Sequence, residues 1–248
     1  MTSRGNTRRG TNTEHLFADT IAEHPNAFSA ILSIVFKSTN IKVGKPVVIG
    51  SQYHRKTDVE IPVLNSSTSL RINVKSYTGS NGYNQIERRK MDDFCRRNQI
   101  SKSDEKILTE IWLRKSMNDG KGLLVHTNER KRVCDIFRHI LPGASAFIGN
   151  DHPQVLGIYS NQISTWHLYD MGNQVLPVVQ NTEIQFTERG GNIQIGEYIV
   201  IQRKGSRRGE SGTDPFSIEH GSNHVQIKMR TSHFFNTVVP IAQYTCET

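Results

Sequence analysis

Apolar residues along the first half of this chain recur at helical spacing in some stretches and alternate with polar ones in others. Thr13 and Glu14 precede Leu16, Phe17, Ile21 and Ala22, which predicts a helix that ends before Pro25. The next stretch, Ala27 to Phe36, carries six large apolar residues and reads as a buried segment, either helix or strand. Lys42 to Ser51 is rich in Val and Ile and reads as a strand, and Thr57 to Val63 as a shorter one. Leu70 to Tyr77 alternates, so a strand there puts Leu70, Ile72 and Val74 on one face and Arg71, Asn73 and Lys75 on the other. The polar run Asn65 to Ser69 between these two strands predicts a hairpin loop.

Asn84 to Asn98 is crowded with charge around Ile86, Met91 and Phe94 and reads as a helix with a narrow buried stripe. Ser101 and Asp104 have the form of a capping box ahead of Ile107, Leu108, Ile111 and Trp112 at helical spacing. Leu123 to Val125 predicts a buried strand, and Asn128 caps a helix through Val133, Ile136, Phe137 and Ile140 that Pro142 and Gly143 stop. From about Val155 short alternating runs take over, with strands expected at Glu183 to Phe186, Asn192 to Arg203 and His224 to Arg230. A long Gly-rich loop, Gly205 to Asn223, separates the last two. The pattern predicts an α/β (α+β) protein with a mixed central sheet flanked by helices. A flexible basic arm over 1–13 precedes a core over 14–150, and a β-rich region over 151–248 packs on that core as one globular unit.

Charge narrows the partners. Lys and Arg number 31 against 23 Asp and Glu among 248 residues, a formal charge of +8. Such a balance favours a polyanion. No apolar run approaches the roughly 20 residues that span a bilayer, and the first residues lack the apolar stretch of a signal peptide. Three widely spaced cysteines, Cys95, Cys134 and Cys246, form neither a disulfide framework nor a zinc site, which points to a reducing cytoplasm. The closest histidines, His220 and His224, stand in a Gly/Ser-rich stretch without Cys partners and read as loop residues.

The hairpin is where chemistry gathers. Hydrolysis of a phosphodiester needs a divalent cation to offset phosphate charge and a water held in line with the leaving oxygen. Magnesium takes one or two carboxylates and fills its remaining positions with water and phosphate oxygens. Asp58 on one strand, facing Asn73 and Lys75 on the next, is the composition of such an open site.

The pattern Asp58 followed by Asn73-Val74-Lys75 resembles that of the PD-(D/E)xK nucleases, in which a hairpin carries an Asp and then an acidic residue, one intervening residue and a Lys. Asn73 departs from the usual Asp or Glu; some type II restriction enzymes also carry Asn there. The resemblance implies a type II restriction endonuclease fold, a Mg2+ cofactor, and sequence-specific double-strand cuts in DNA leaving 5′-phosphate and 3′-hydroxyl ends. By the same resemblance Asp58 and Asn73 bind metal, and Lys75 orients the attacking water. Glu60 shares a strand face with Asp58 and is the candidate replacement ligand; Glu14 or Glu23 on the first helix is a further one. Such enzymes belong to restriction-modification systems of the prokaryotic cytoplasm and act as monomers or homodimers.

The segment Gly196 to Gly205, followed by Ser222 to Lys228, also resembles a run found in several type II restriction endonucleases. Gln202, Arg203 and Lys204 on one strand and Gln226, Lys228 and Arg230 on the next carry the donors and acceptors that read base edges in the major groove of double-stranded DNA. Arg207 and Arg208 in the adjoining loop, and Arg88 and Arg89 upstream, are expected to meet phosphates. Two other functions fit the same residues: a non-catalytic sequence-specific DNA-binding protein, and a repair nuclease that recognises structure.

Overall fold

The computed structural model describes residues 3–25, 33, 37–38, 41–49, 57–79, 82–114, 125–140, 153–187, 192–204, 214 and 216–246. The segment Ala27 to Phe36, nearly all of the Leu123 to Val125 strand, and Arg207 and Arg208 fall outside them. The chain divides into two compact units, one from residues 1–84, 147–177 and 231–248, the other from 85–146 and 178–230. This is not the division at residue 150 that the change in sequence texture suggests. The reason is strand pairing: strands after residue 150 complete the sheet that the hairpin begins.

That first sheet has the order β1-β2-β3-β5-β6-β11. Its strands are β1 (Val47–Val48), β2 (Val59–Pro62), β3 (Ser69–Tyr77), β5 (Val155–Ser160), β6 (Thr165–Asp170) and β11 (Ala242–Thr245). β3 pairs antiparallel with β2 and parallel with β5, so the sheet is mixed as expected. Helix α1 (Ser3–Glu23) covers one face. Its Phe17, Ala18 and Ile21 pack among Leu70, Ile72, Val74, Val155 and Trp166, with the Phe17 and Trp166 rings edge to face at 4.8 Å. The stripe differs from the predicted one: Leu16 and Ala22 are exposed and Ala18 and Thr20 are buried in their place. The expected flexible arm is helical from Ser3 onward, because α1 extends three turns ahead of the residues that its apolar stripe marks.

Helix α6 (Thr231–Thr237) packs against β3 and β5. Its Phe235 ring stacks on His167 with centroids 3.6 Å apart and planes 7° apart, and Tyr169 donates from its hydroxyl to the Phe234 carbonyl. Burial holds His167 below the ordinary histidine range.

The second sheet has the order β4-β10-β9-β8-β7, formed by β4 (Tyr83–Arg89), β7 (Ile184–Phe186), β8 (Ile193–Ile195), β9 (Ile199–Arg203) and β10 (Val225–Arg230). Asn192 to Arg203 is therefore two strands; the chain turns at Gly196, whose φ of +48° suits glycine. β4 corrects the helix expected over Asn84 to Asn98. Charge on both faces hides its period of two, and the helix, α2 (Met91–Arg97), starts only after it. Helices α3 (Lys102–Arg114) and α4 (Thr127–Ile140) complete this unit's helical part. The capping box before α3 forms as predicted: the Asp104 N–H donates to Ser101 Oγ at 3.2 Å, and Ser101 Oγ donates to Asp104 Oδ2 at 2.8 Å. Helix α5 (Leu176–Asn181) and α6 interrupt the C-terminal half that the sequence presents as strands alone.

His167 gives the first unit a pH signature. Its folded pKa is depressed, so its contribution to stability is present above the ordinary value of 6.5 and is lost as pH falls through the lower folded value. Thermal melts of the wild type and of His167→Phe should show the wild type losing more stability as pH drops below 6.5. Parallel pH profiles would refute a buried neutral His167.

Candidate functional site

The ladder between β2 and β3 ends at the Val59–Ile72 pair, after which the Asp58 N–H still donates to the Ile72 carbonyl. β3 runs on to Tyr77, and among the described residues no strand pairs with the main-chain groups of Val74 on that side. Two side chains take them. Asp58 Oδ2 accepts from the Val74 N–H at 2.6 Å, and Lys75 Nζ donates to the Val74 carbonyl at 2.8 Å. Lys75 Nζ also meets Asp58 Oδ2 at 3.2 Å, with side chains 13% and 19% exposed. The pair is sheltered enough to be fixed in place and open enough to meet a ligand.

A third group joins them from α1. Glu14 lies three, four and seven residues before Phe17, Ala18 and Ile21, so the helix carries it on its buried stripe, one turn beyond the apolar contacts. Its Oε2 is buried without a hydrogen-bond partner. Burial first, then the negative charge of Asp58, raises the Glu14 carboxyl above its usual range; Lys75 and His15 act in the opposite sense. Two carboxylates that repel each other beside a lysine, one with an unpartnered buried oxygen, suit a hard cation such as Mg2+. Among the described residues no cluster of three or more His, Cys, Asp or Glu assembles as ligands.

The structure thus brings together Asp58, Lys75 and Glu14, with Asn73 on the same strand face as Lys75. Glu60 stands across from Arg71, one pair further along the hairpin, and no hydrogen bond or ion pair joins it to Asp58 or Lys75. Glu23, at the far end of α1, is exposed. The signal that singles out Glu14 is its phase on the buried stripe. Cys95 is excluded from chemistry, because burial pushes its thiol up to about 12.

The second unit holds the other predicted residues. Gln202 and Gln226 are directly opposed on β9 and β10, and Gln202 Nε2 donates to Gln226 Oε1 at 2.9 Å. Gln226 Nε2 donates onward to Gln85 Oε1 on β4 at 2.6 Å, forming an amide ladder across three strands. Lys228 lies two residues along the same face. It is half-buried and makes no hydrogen bond or ion pair among the described residues, and burial lowers its pKa.

Other members of the set are placed differently. Arg203 is 4% exposed and Lys204 7%, so neither presents a head group to a groove. Alternation turns Arg203 to the face of Ile199 and Ile201, where burial depresses its pKa. Arg89 is bound to Glu87 and Asp93, which hold its pKa up, and so is committed within the unit. Arg88 is on the opposite face of β4, and Arg230 is paired with Glu197 at 2.7 Å.

No family model matches the sequence, and no curated protein matches it. Among solved structures, the crystal structure of restriction endonuclease MspI in complex with its cognate DNA is similar over 81% of this chain and 76% of that one, at 16% identity and a TM-score of 0.48. At that distance no residue role is carried across from it. No helix among the described residues is long and apolar enough to cross a membrane.

The raised Glu14 pKa has a measurable consequence for the metal-free protein. Its stabilising contribution is complete below the ordinary value of 4.5 and is lost as pH rises through the higher folded value. Glu14→Gln should therefore melt at a higher temperature than the wild type at neutral pH in EDTA, and the gain should vanish below pH 4.5. An equal or lower melting temperature at neutral pH would show that Glu14 is not strained against Asp58.

Proposed function

We propose that this protein is a Mg2+-dependent, sequence-specific DNA endonuclease of the type II restriction kind. The observation that carries the reading is the contact of Lys75 with Asp58, beside a Glu14 carboxyl whose buried Oε2 has no hydrogen-bond partner among the described residues and which feels the charges of both. Asp58 and Glu14 would hold the cation, with the Asn73 carbonyl as a further donor from the neighbouring strand. When bound, the cation supplies positive charge to a scissile phosphate and lowers the pKa of water.

The chain's own groups do the rest. Lys75 Nζ, held by Asp58 and by the Val74 carbonyl, orients the attacking water and offsets charge on the phosphate. The water oxygen bonds to phosphorus as the bond to the 3′ oxygen breaks and that oxygen gains a proton, leaving 5′-phosphate and 3′-hydroxyl ends. Target recognition falls to the amide face of the second sheet. Gln202, braced by the buried Gln226, offers its amide to base edges, while Lys228 supplies a partly desolvated cation that base acceptors or phosphates would satisfy. The net charge of +8 suits this polyanionic substrate.

Incubation of phage DNA with the wild type and Mg2+ should give discrete bands that EDTA abolishes, and Lys75→Ala should slow cleavage by about 10²- to 10³-fold or more. Glu14→Gln should lose cleavage as severely, whereas Glu60→Gln should cut nearly as well as wild type. Intact DNA under all conditions with salt-sensitive binding retained would make the protein a non-catalytic DNA binder. A smear without discrete bands would indicate cleavage without sequence choice.

On the recognition face, Gln202→Ala should weaken binding to the cleaved sequence by roughly 1–3 kcal/mol while leaving bulk DNA binding unchanged. Fluorescence anisotropy with target and random duplexes checks this. Equal losses on both would assign Gln202 to backbone contact or to fold.

A further inference from the structure

A second set of hydrogen bonds runs through the chain neighbours of Glu14, Lys75, Gln85 and Arg230. Asn84 donates through Nδ2 to the Ser76 carbonyl at 2.7 Å and to Thr231 Oγ1 at 2.9 Å. Thr231, which is fully buried, donates to the Gly82 carbonyl at 3.0 Å. On the other side, Thr13 Oγ1 donates to Ser76 Oγ at 3.3 Å. Gly82 allows this closure, since any Cβ there would collide with the Tyr77 side chain.

All five residues belong to the first unit, and four of them have informative chain neighbours. Thr13 precedes Glu14 and Ser76 follows Lys75, so one limb touches the backbone on either side of the candidate catalytic groups. Asn84 precedes Gln85, the end of the amide ladder, and Thr231 follows Arg230, the last residue of β10. Asn84 and Thr231 are also the points where the chain leaves the first unit for the second and later returns to it. A shift of β4 or β10 by DNA contact has a covalent route to this knot, and the knot holds the carbonyl next to Lys75.

We infer that the Thr231–Asn84–Ser76–Thr13 network couples target recognition on β4 and β10 to the placement of Lys75 and Glu14, which makes Asn84 and Thr231 positioning residues for cleavage. The inference rests on the nuclease reading above. The network is half-buried around the fully buried Thr231, where an unsatisfied hydroxyl is costly, so the knot has few arrangements and can act as a discrete link. The correct base contacts then raise the cleavage rate beyond what they add to binding.

The test compares two duplex oligonucleotides, one holding the site cut best on phage DNA and one with a single base pair of that site changed. Single-turnover cleavage rates and dissociation constants are measured for the wild type, Thr231→Val and Thr231→Ser. In Thr231→Val the rate on the best site should fall by about 5- to 150-fold. Its rate on the altered site, and its dissociation constants for both, should stay within about twofold. Thr231→Ser keeps the hydroxyl and should restore the wild-type ratio of rates. Ser76→Ala, which cuts only the limb to Thr13, should reproduce a smaller part of the split even if Thr231→Val fails to fold.

Equal slowing on both duplexes, or an unchanged ratio of rates in folded Thr231→Val and Ser76→Ala, would reduce the knot to a structural clasp and overturn the inference while leaving the nuclease reading intact. Absence of Mg2+-dependent cleavage by the wild type would overturn both.

Discussion

The hydrogen bond from the Val74 N–H to the Asp58 carboxylate is the constraint around which the first unit's site is arranged. β2 stops pairing one residue too early for β3, and a carboxylate takes the strand's place. A charged acceptor at 2.6 Å is a strong partner for a backbone donor, so the Asp58 side chain is fixed in orientation while its backbone bonds to Ile72 and Ile49. Lys75 is drawn in from the same edge by the Val74 carbonyl and by Asp58 itself. Glu14 then arrives on α1 with one oxygen unsatisfied among the described residues, and on the proposed reading that deficit is what a cation would relieve.

The hairpin was legible because alternation over Leu70 to Tyr77 states which side chains share a face, and the observed burial follows it from Leu70 to Lys75. The same logic fails for Glu60 and Glu14. Both are carboxylates near the hairpin in sequence-derived terms, but only the phase of α1 against β3 decides which approaches Asp58, and that phase depends on which of Leu16, Phe17, Ala18 and Ile21 turn inward. With two apolar residues adjacent at 16–17 and two at 21–22, the stripe has two readings. Packing of Phe17 on Trp166 selects one of them.

Strand β4 and Arg203 show two other limits. Tyr83 to Arg89 alternates, but its one buried position is Glu87, on the face it shares with Gln85 and Arg89, so a pattern built on hydrophobicity has nothing to detect. Glu87 is buried through its ion pair with Arg89, a pairing that exists only once the strand has formed. Arg203 lies among isoleucines on its strand face, and alternation alone already places it there. Reading it as a groove contact gave weight to residue type over face. The amide ladder, in contrast, needs only the Gln202–Gln226 register, and two strands with their polar residues in phase already imply it.

The path of the chain between the two units has a consequence for how the protein is made. β3 pairs in parallel with β5, and Arg71 bonds Gln154 across 83 residues, so the centre of the first sheet forms by closing a long loop. Contacts of such high sequence separation fold slowly and late. Glu14, Asp58 and Lys75 are all synthesised before the second unit's residues begin, but β5, β6, α6 and β11, which complete their sheet, follow tens to well over a hundred residues later. During translation the three groups leave the ribosome without the scaffold that brings them together. The site therefore matures with the end of the chain, and a partly made copy carries its residues without their geometry.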